Sequence, residues 1–207
     1  MQPAYLDLMA NGFPVERAIK VVRHEVGHWI AGEYHGFRSG SIEITMTKDG
    51  GHRGQAEIFP DSDLRSLELA QSYLRRRISV LYAGVLAESL GDDGKVNNGY
   101  ANHELQTGGA TNDFKGIREL VRVLRGMIHG PAVDEKTMTK QFERLTNEIW
   151  KETTELVETN HDLIQGLTRV IMGRASRIGT KFGHRAPTFR KIPVLAEWLA
   201  ALPNPRD

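Results

Sequence analysis

His24, Glu25 and His28 stand in the order HEVGH, the residue set of a two-histidine metal site with a carboxylate beside it. On a helix, residues four apart lie one above the other, so His24 and His28 can offer ring nitrogens to one Zn²⁺ ion about 2.0–2.1 Å away. Glu25 lies about 100° round the helix from His24, close enough to touch a water at the ion without being a ligand. Zinc lowers the pKa of such a water towards about 7, and a neighbouring carboxylate can take the proton and pass it on. A chance match on a solvated helix is the bland alternative. The apolar flanks of the motif, and Gly27 beside its second histidine, speak for a metal. Iron or manganese would also suit two histidines, a carboxylate and an open position.

Two histidines do not complete a site. His35 is seven residues beyond His28, on the same face of an unbroken helix but roughly 10 Å further along the axis, too far to share the ion. The pattern HExxHxxGxxH would turn the chain back, yet Ala31 holds its glycine position and Tyr34 its histidine position; Gly32 and His35 each come one residue late. His35 is therefore expected to be an exposed histidine near a helix end. Two carboxylates stand out further along: Glu88 in LYAGVLAESL and Asp113 in LQTGGATNDFKG. Asp113 begins a helix after a small-residue turn, where a carboxylate can be rigidly aimed. Glu88, near the end of an apolar helix, needs a partner if buried, and the other nitrogen of a ligand histidine would serve. Asp113 reads equally as a first-turn helix acid and Glu88 as a surface residue, and spacing does not choose between these readings.

Periodicity supplies the elements that must position these groups. Val15, Ala18, Ile19, Val22, Val26 and Ile30 predict an amphipathic helix from Pro14 to about Gly36, with HEVGH in its middle. SIEITM (41–46) and GQAEIF (54–59), joined by KDGGHRG, predict an antiparallel hairpin. A second helix is expected over 66–90. The Gly- and Asn-rich stretch 91–110 reads as a long loop, of the kind that is functional or mobile. Thr111 or Asn112 should cap a helix running to His129. Further helix is expected over 134–176, split near TNHD, with a short one near 192–202. The fold class expected is mainly α with a small antiparallel hairpin, in three parts: an N-terminal segment 1–13, a domain 14–176, and a C-terminal extension 177–207 packed on it.

With 207 residues, 40% hydrophobic and 26% charged, the chain can bury one sizeable core, and a net charge of +1 argues against a nucleic-acid partner. The absence of Cys excludes disulfides, thiolate metal sites and cysteine nucleophiles. No apolar run is long enough for a membrane span, the N-terminus lacks a signal-peptide pattern, and a cytoplasmic location is expected. There is no GxxxxGK[ST] phosphate loop. Arg75–Arg77 and the stripe Arg118, Arg122 and Arg125 are expected to face solvent, and His103 to be an exposed loop residue.

Three segments in order, HEVGH, LYAGVLAESL and TGGATNDF, resemble the peptidase domain of the FtsH-type membrane AAA proteases, with its HEAGH, L-x-G-G-R-x-A-E and T-x-G-A-x-N-D-L motifs. GQAEIFP resembles the strand before that family's second helix, and ETNHDLIQGLTRVI its late helices; the likeness covers roughly residues 14–174. It implies a helical zinc-peptidase domain with His24, His28 and Asp113 as ligands and Glu25 as catalytic base. Glu88 would then support a ligand histidine, and the strand residues Gln55, Ala56, Glu57 and Ile58 would receive an extended substrate by strand addition. The family's enzymes carry transmembrane helices and an ATP-driven unfolding ring, which this sequence lacks. Trp29 stands where they have Ala, Val85 or a neighbour where they have Arg, and the segment after Arg174 matches nothing in them. The expected activity is zinc-dependent endopeptidase cleavage of unfolded or flexible polypeptide, without an unfoldase of its own. The implied partners are the substrate, further copies of the chain and a separate delivery protein. A catalytically silent, zinc-stabilised interaction or regulatory module is the alternative.

Overall fold

The computed structural model describes residues 8–60, 63–131 and 134–203. The first seven residues of the expected N-terminal segment and the last four of the C-terminal extension lie outside them. The fold is mainly helical, with one small antiparallel sheet.

Helix α1 (Val15–Tyr34) begins where the Pro14 carbonyl accepts from Ala18 N–H, and it buries Val15, Ala18, Val22, Val26 and Ile30. It stops at Gly36, whose φ of 77° only glycine adopts freely. Phe37 N–H then bonds back to Gly32 O and Gly36 N–H to Glu33 O, closing the end of the helix. Strands β1 (Arg38–Met46) and β2 (His52–Phe59) pair antiparallel, each starting earlier than the alternation predicts. β1 drives Ile42, Ile44 and Met46 into the core. Helix α2 (Leu67–Glu88), capped by Ser66 Oγ on Leu69 N–H, lies along α1. The approach is close because Gly27 faces it: a Cβ there would meet Ala83 O at 2.3 Å.

Half of the stretch expected as a loop over 91–110 is helical. Asn97 Oδ1 accepts from Tyr100 N–H and opens α3 (Asn98–Thr107). Only Ala101 and Leu105 of α3 are buried, so its apolar signal is faint. Its docking is polar instead: Tyr100 reaches Glu88, and Trp150 Nε1 donates to Asn98 Oδ1. His103 is exposed as expected, but on this helix. Helix α4 (Thr111–His129) starts at Thr111 with Ala110 in the capping position and no side-chain cap, so neither Thr111 nor Asn112 caps it. Helices α5 (Glu135–Thr159) and α6 (His161–Met172) meet at Asn160, in the TNHD stretch.

The expected hairpin is a three-stranded sheet of order β2–β1–β3. β3 (Lys181–His184) pairs with β1 over Ile42–Thr45 and comes from the C-terminal segment, which the sequence pattern assigned no strand. The chain then forms α7 (Ala186–Phe189) and α8 (Pro193–Ala201). Trp29 is fully buried: its Nε1 donates to Gly40 O, Phe189 meets its ring edge-on at 5.1 Å, and Arg190 lies over the indole. Arg190 also pairs with Glu33, fastening this segment to α1.

Three surface expectations are corrected. His35 is not an exposed histidine: its Nε2 lies 2.8 Å from Ser79 Oγ, which also accepts from Thr153, and burial beside Arg76 pushes its pKa down to about 4. The Arg75–Arg77 run is half-buried, with Arg76 donating to His35 O. Arg125 is buried and donates to Gln141 Oε1.

Candidate metal centre

His24 and His28 project from the middle of α1, and Asp113 enters from the first turn of α4. His24 Nε2 is 3.0 Å from His28 Nε2 and 3.0 Å from Asp113 Oδ2, and His28 Nε2 is 3.4 Å from the same oxygen. Among the described residues, these are the His, Cys, Asp or Glu side chains that could together hold a metal ion. His35, bonded to Ser79 elsewhere, is not in the group.

Hydrogen bonds fix the far side of each ring. A carbonyl only accepts, so His28 Nδ1, 2.7 Å from Val80 O, carries its hydrogen. His24 Nδ1 lies 3.1 Å from Glu88 Oε2, while Tyr100 Oη donates to Glu88 Oε1 at 2.8 Å. Burial opposes the charge on Glu88, but His24, Tyr100 and Lys20 outweigh it and hold the carboxyl below its ordinary pKa. Ionised, it too only accepts, so His24 Nδ1 carries a hydrogen. Neutral rings held in this way turn their Nε2 lone pairs inward, towards each other and the Asp113 carboxylate. Three electron-pair donors so close repel one another unless positive charge lies among them, as a proton or as a metal ion. The electrostatics carry the same sign. Burial disfavours charge on His24, yet the hydrogen bonds to Asp113 and Glu88, with Glu25 nearby, raise its pKa to about 10. Burial alone would lift Asp113, but His28 and His24 hold its carboxyl well below the usual range.

The arrangement depends on space as well as charge. Gly84 of α2 faces both rings: a Cβ there would fall 2.5 Å from His28 Nε2 and 2.8 Å from His24 Nε2. Val80, Gly84 and Glu88, spaced four apart, thus form one stripe of α2 that holds one ring, clears both and holds the other. Glu25 is buried, with its carboxylate beneath β2, where a Cβ on Gly54 would meet Oε1 at 2.3 Å. Asp113 is aimed by α3, since Glu104 Oε2 accepts from Gly109 N–H at 2.9 Å and Glu104 O from Ala110 N–H, holding the turn before α4.

The donors and Glu25 open on a cavity of about 1030 Å³, whose other wall includes Gln55, Ala56, Glu57 and Ile58 of β2. β2 pairs only with β1 among the described residues, so its other edge is free beside the donors. Glu57 folds back to accept from Ser41 N–H, and Ile58 packs over Gly32. No family model, no curated protein and no solved structure matches the chain.

The structure brings His24, His28 and Asp113 together, with Glu88 behind His24, Glu25 beside the donors and the four strand residues along the cavity. Sequence reasoning missed Tyr100, the Val80 carbonyl, Glu104 and the glycines at 54 and 84. Gly84 carried a readable signal, lying one helical turn before Glu88. A backbone carbonyl such as that of Val80 leaves none.

Proposed function

We propose that the chain is a zinc-dependent metalloendopeptidase of the FtsH peptidase type, acting on unfolded or flexible polypeptide. The observation that carries this reading is the convergence of three donors on one point, with a buried carboxylate and a free strand edge beside it. Donors 3.0–3.4 Å apart support a tetrahedral ion; bonds of about 2.0–2.1 Å imply ligand-to-ligand edges of about 3.3 Å. Two imidazoles and a carboxylate suit zinc and leave a fourth position open.

Zinc held by His24, His28 and Asp113 would polarise a scissile carbonyl and acidify a water. The free edge of β2 offers backbone N–H and C=O groups to an extended substrate, so binding relies on main-chain pairing and tolerates many sequences. Such pairing needs a segment already extended, which fits substrates that are unfolded or delivered so. Glu25 takes the proton from the attacking water and returns it to the leaving amine. Glu88 keeps the His24 ring in one tautomer and orientation, as the Val80 carbonyl does for His28.

The test is Glu25→Gln, which keeps the size of the side chain and removes the base. It should retain zinc as wild type does while cleavage of casein falls at least about 100-fold. Undiminished cleavage by the zinc-loaded variant would sink the mechanism, and inactive zinc-loaded wild type would favour a silent module.

A further inference from the structure

β2 runs along α1 in the same sense, with Gly54 against Glu25 and Ile58 against Gly32. A segment lying on the free edge of β2 therefore passes the metal donors on its way to the His52 end of the strand. There the cavity wall includes the start of α1, with Arg17 and Lys20 seven and four residues before His24 on the same face. Both are exposed, and neither forms an ion pair among the described residues. Lys20 Nζ lies 4.3 Å over the Tyr100 ring and acts on Glu88 through its charge, without an ion-pair contact. Arg53, beside His52, adds a third cation to the same cavity.

The carboxylates at this end are mostly committed. Glu88 is held by His24 and Tyr100, and Glu104 by Gly109 N–H. Glu16 is exposed there as well, so Arg17, Lys20 and Arg53 share this end with Glu16, Glu88 and Glu104, but none of the three cations forms an ion pair among the described residues. Along α1, Lys20 and Arg17 stand about 6 and 10 Å from His24 at 1.5 Å per residue. An extended chain advances about 3.3 Å per residue, so they meet substrate side chains about two and three residues from the bond at the metal.

We propose that Arg17 and Lys20 form a specificity subsite selecting an acidic side chain, Asp or Glu, about two or three residues from the cleaved bond on the His52 side; this rests on reading the groove as a peptidase cleft. The probes are two fluorescein-labelled extended peptides, one with Asp and Glu and one with Lys at those positions, titrated at low ionic strength into zinc-loaded Glu25→Gln protein. The acidic peptide should bind roughly three- to tenfold tighter, and the preference should shrink with added salt. The double change Arg17→Glu and Lys20→Glu should invert the preference, while Arg17→Lys with Lys20→Arg should keep it. Equal affinities, or a preference that survives the charge reversal, would overturn the proposal. Wild type given the same peptides separates it from the reading beneath it. Cleavage of both at equal rates overturns the charge selection and leaves the peptidase standing. Charge-selective binding with no cleavage supports the subsite and overturns the peptidase.

Discussion

Glu88 acts on the centre through His24, whose Nδ1 it holds while Tyr100 holds its other oxygen. Glu88→Gln keeps an acceptor of the same shape but removes the charge that favours His24 as a donor. Zinc affinity, measured by competition with a chelator, should fall about 10–100-fold, and an unchanged affinity would contradict the role. His35, the histidine that looks most like a third ligand, serves stability instead. Its folded pKa of about 4 lies below the ordinary value, so the unfolded chain takes up the proton first as pH falls. Stability is therefore full above about pH 6.5 and is lost towards pH 4, by up to roughly 3 kcal/mol. In urea unfolding, His35→Gln should lose less stability than wild type over that window; parallel pH profiles would contradict this.

At the scale of elements, α1 and α2 approach closely beside the site, and Gly27 and Gly84 permit it. Gly84→Ala would place a methyl against both ring Nε2 atoms, 2.5 and 2.8 Å away. Metal binding should be lost or weakened far more than stability, which overpacking of this kind lowers by about 1–3 kcal/mol. Calorimetric zinc titration beside thermal unfolding measures both, and normal zinc affinity would contradict the packing account. The same scale shows what the sequence made legible. α1, α2 and the α5–α6 break were readable because apolar residues recur at helical spacing, with Ser66 and Asp134 as caps. α3 was not, because it buries two residues and docks through Tyr100 and Asn98, contacts that no local pattern encodes. β3 was not, because four residues with a glycine give almost no alternation. For the site, the HEVGH spacing was explicit. Asp113 could be selected only by resemblance, since its place depends on how Glu104 and Gly109 set the start of α4.

Across the whole molecule, the C-terminal segment adds β3 to one side of β1 and leaves β2 paired on one side only among the described residues. β3 covers β1, and Phe189 and Arg190 seal Trp29 and Glu33 behind it. Exposed strand edges invite pairing, and of the two edge strands it is β2 that lies along the cavity. Trp29 is thus explained by the extension it packs against rather than by the cavity, whose lining does not include it. The central claim is that α1 and α4 bring residues from distant parts of the chain to one metal ion. Crystals of the protein soaked in zinc, with diffraction recorded on both sides of the zinc absorption edge, test it directly. The account predicts an anomalous peak within about 2.0–2.2 Å of His24 Nε2, His28 Nε2 and an Asp113 carboxylate oxygen. No peak there, or a zinc ion held by His35 and not by Asp113, would contradict it.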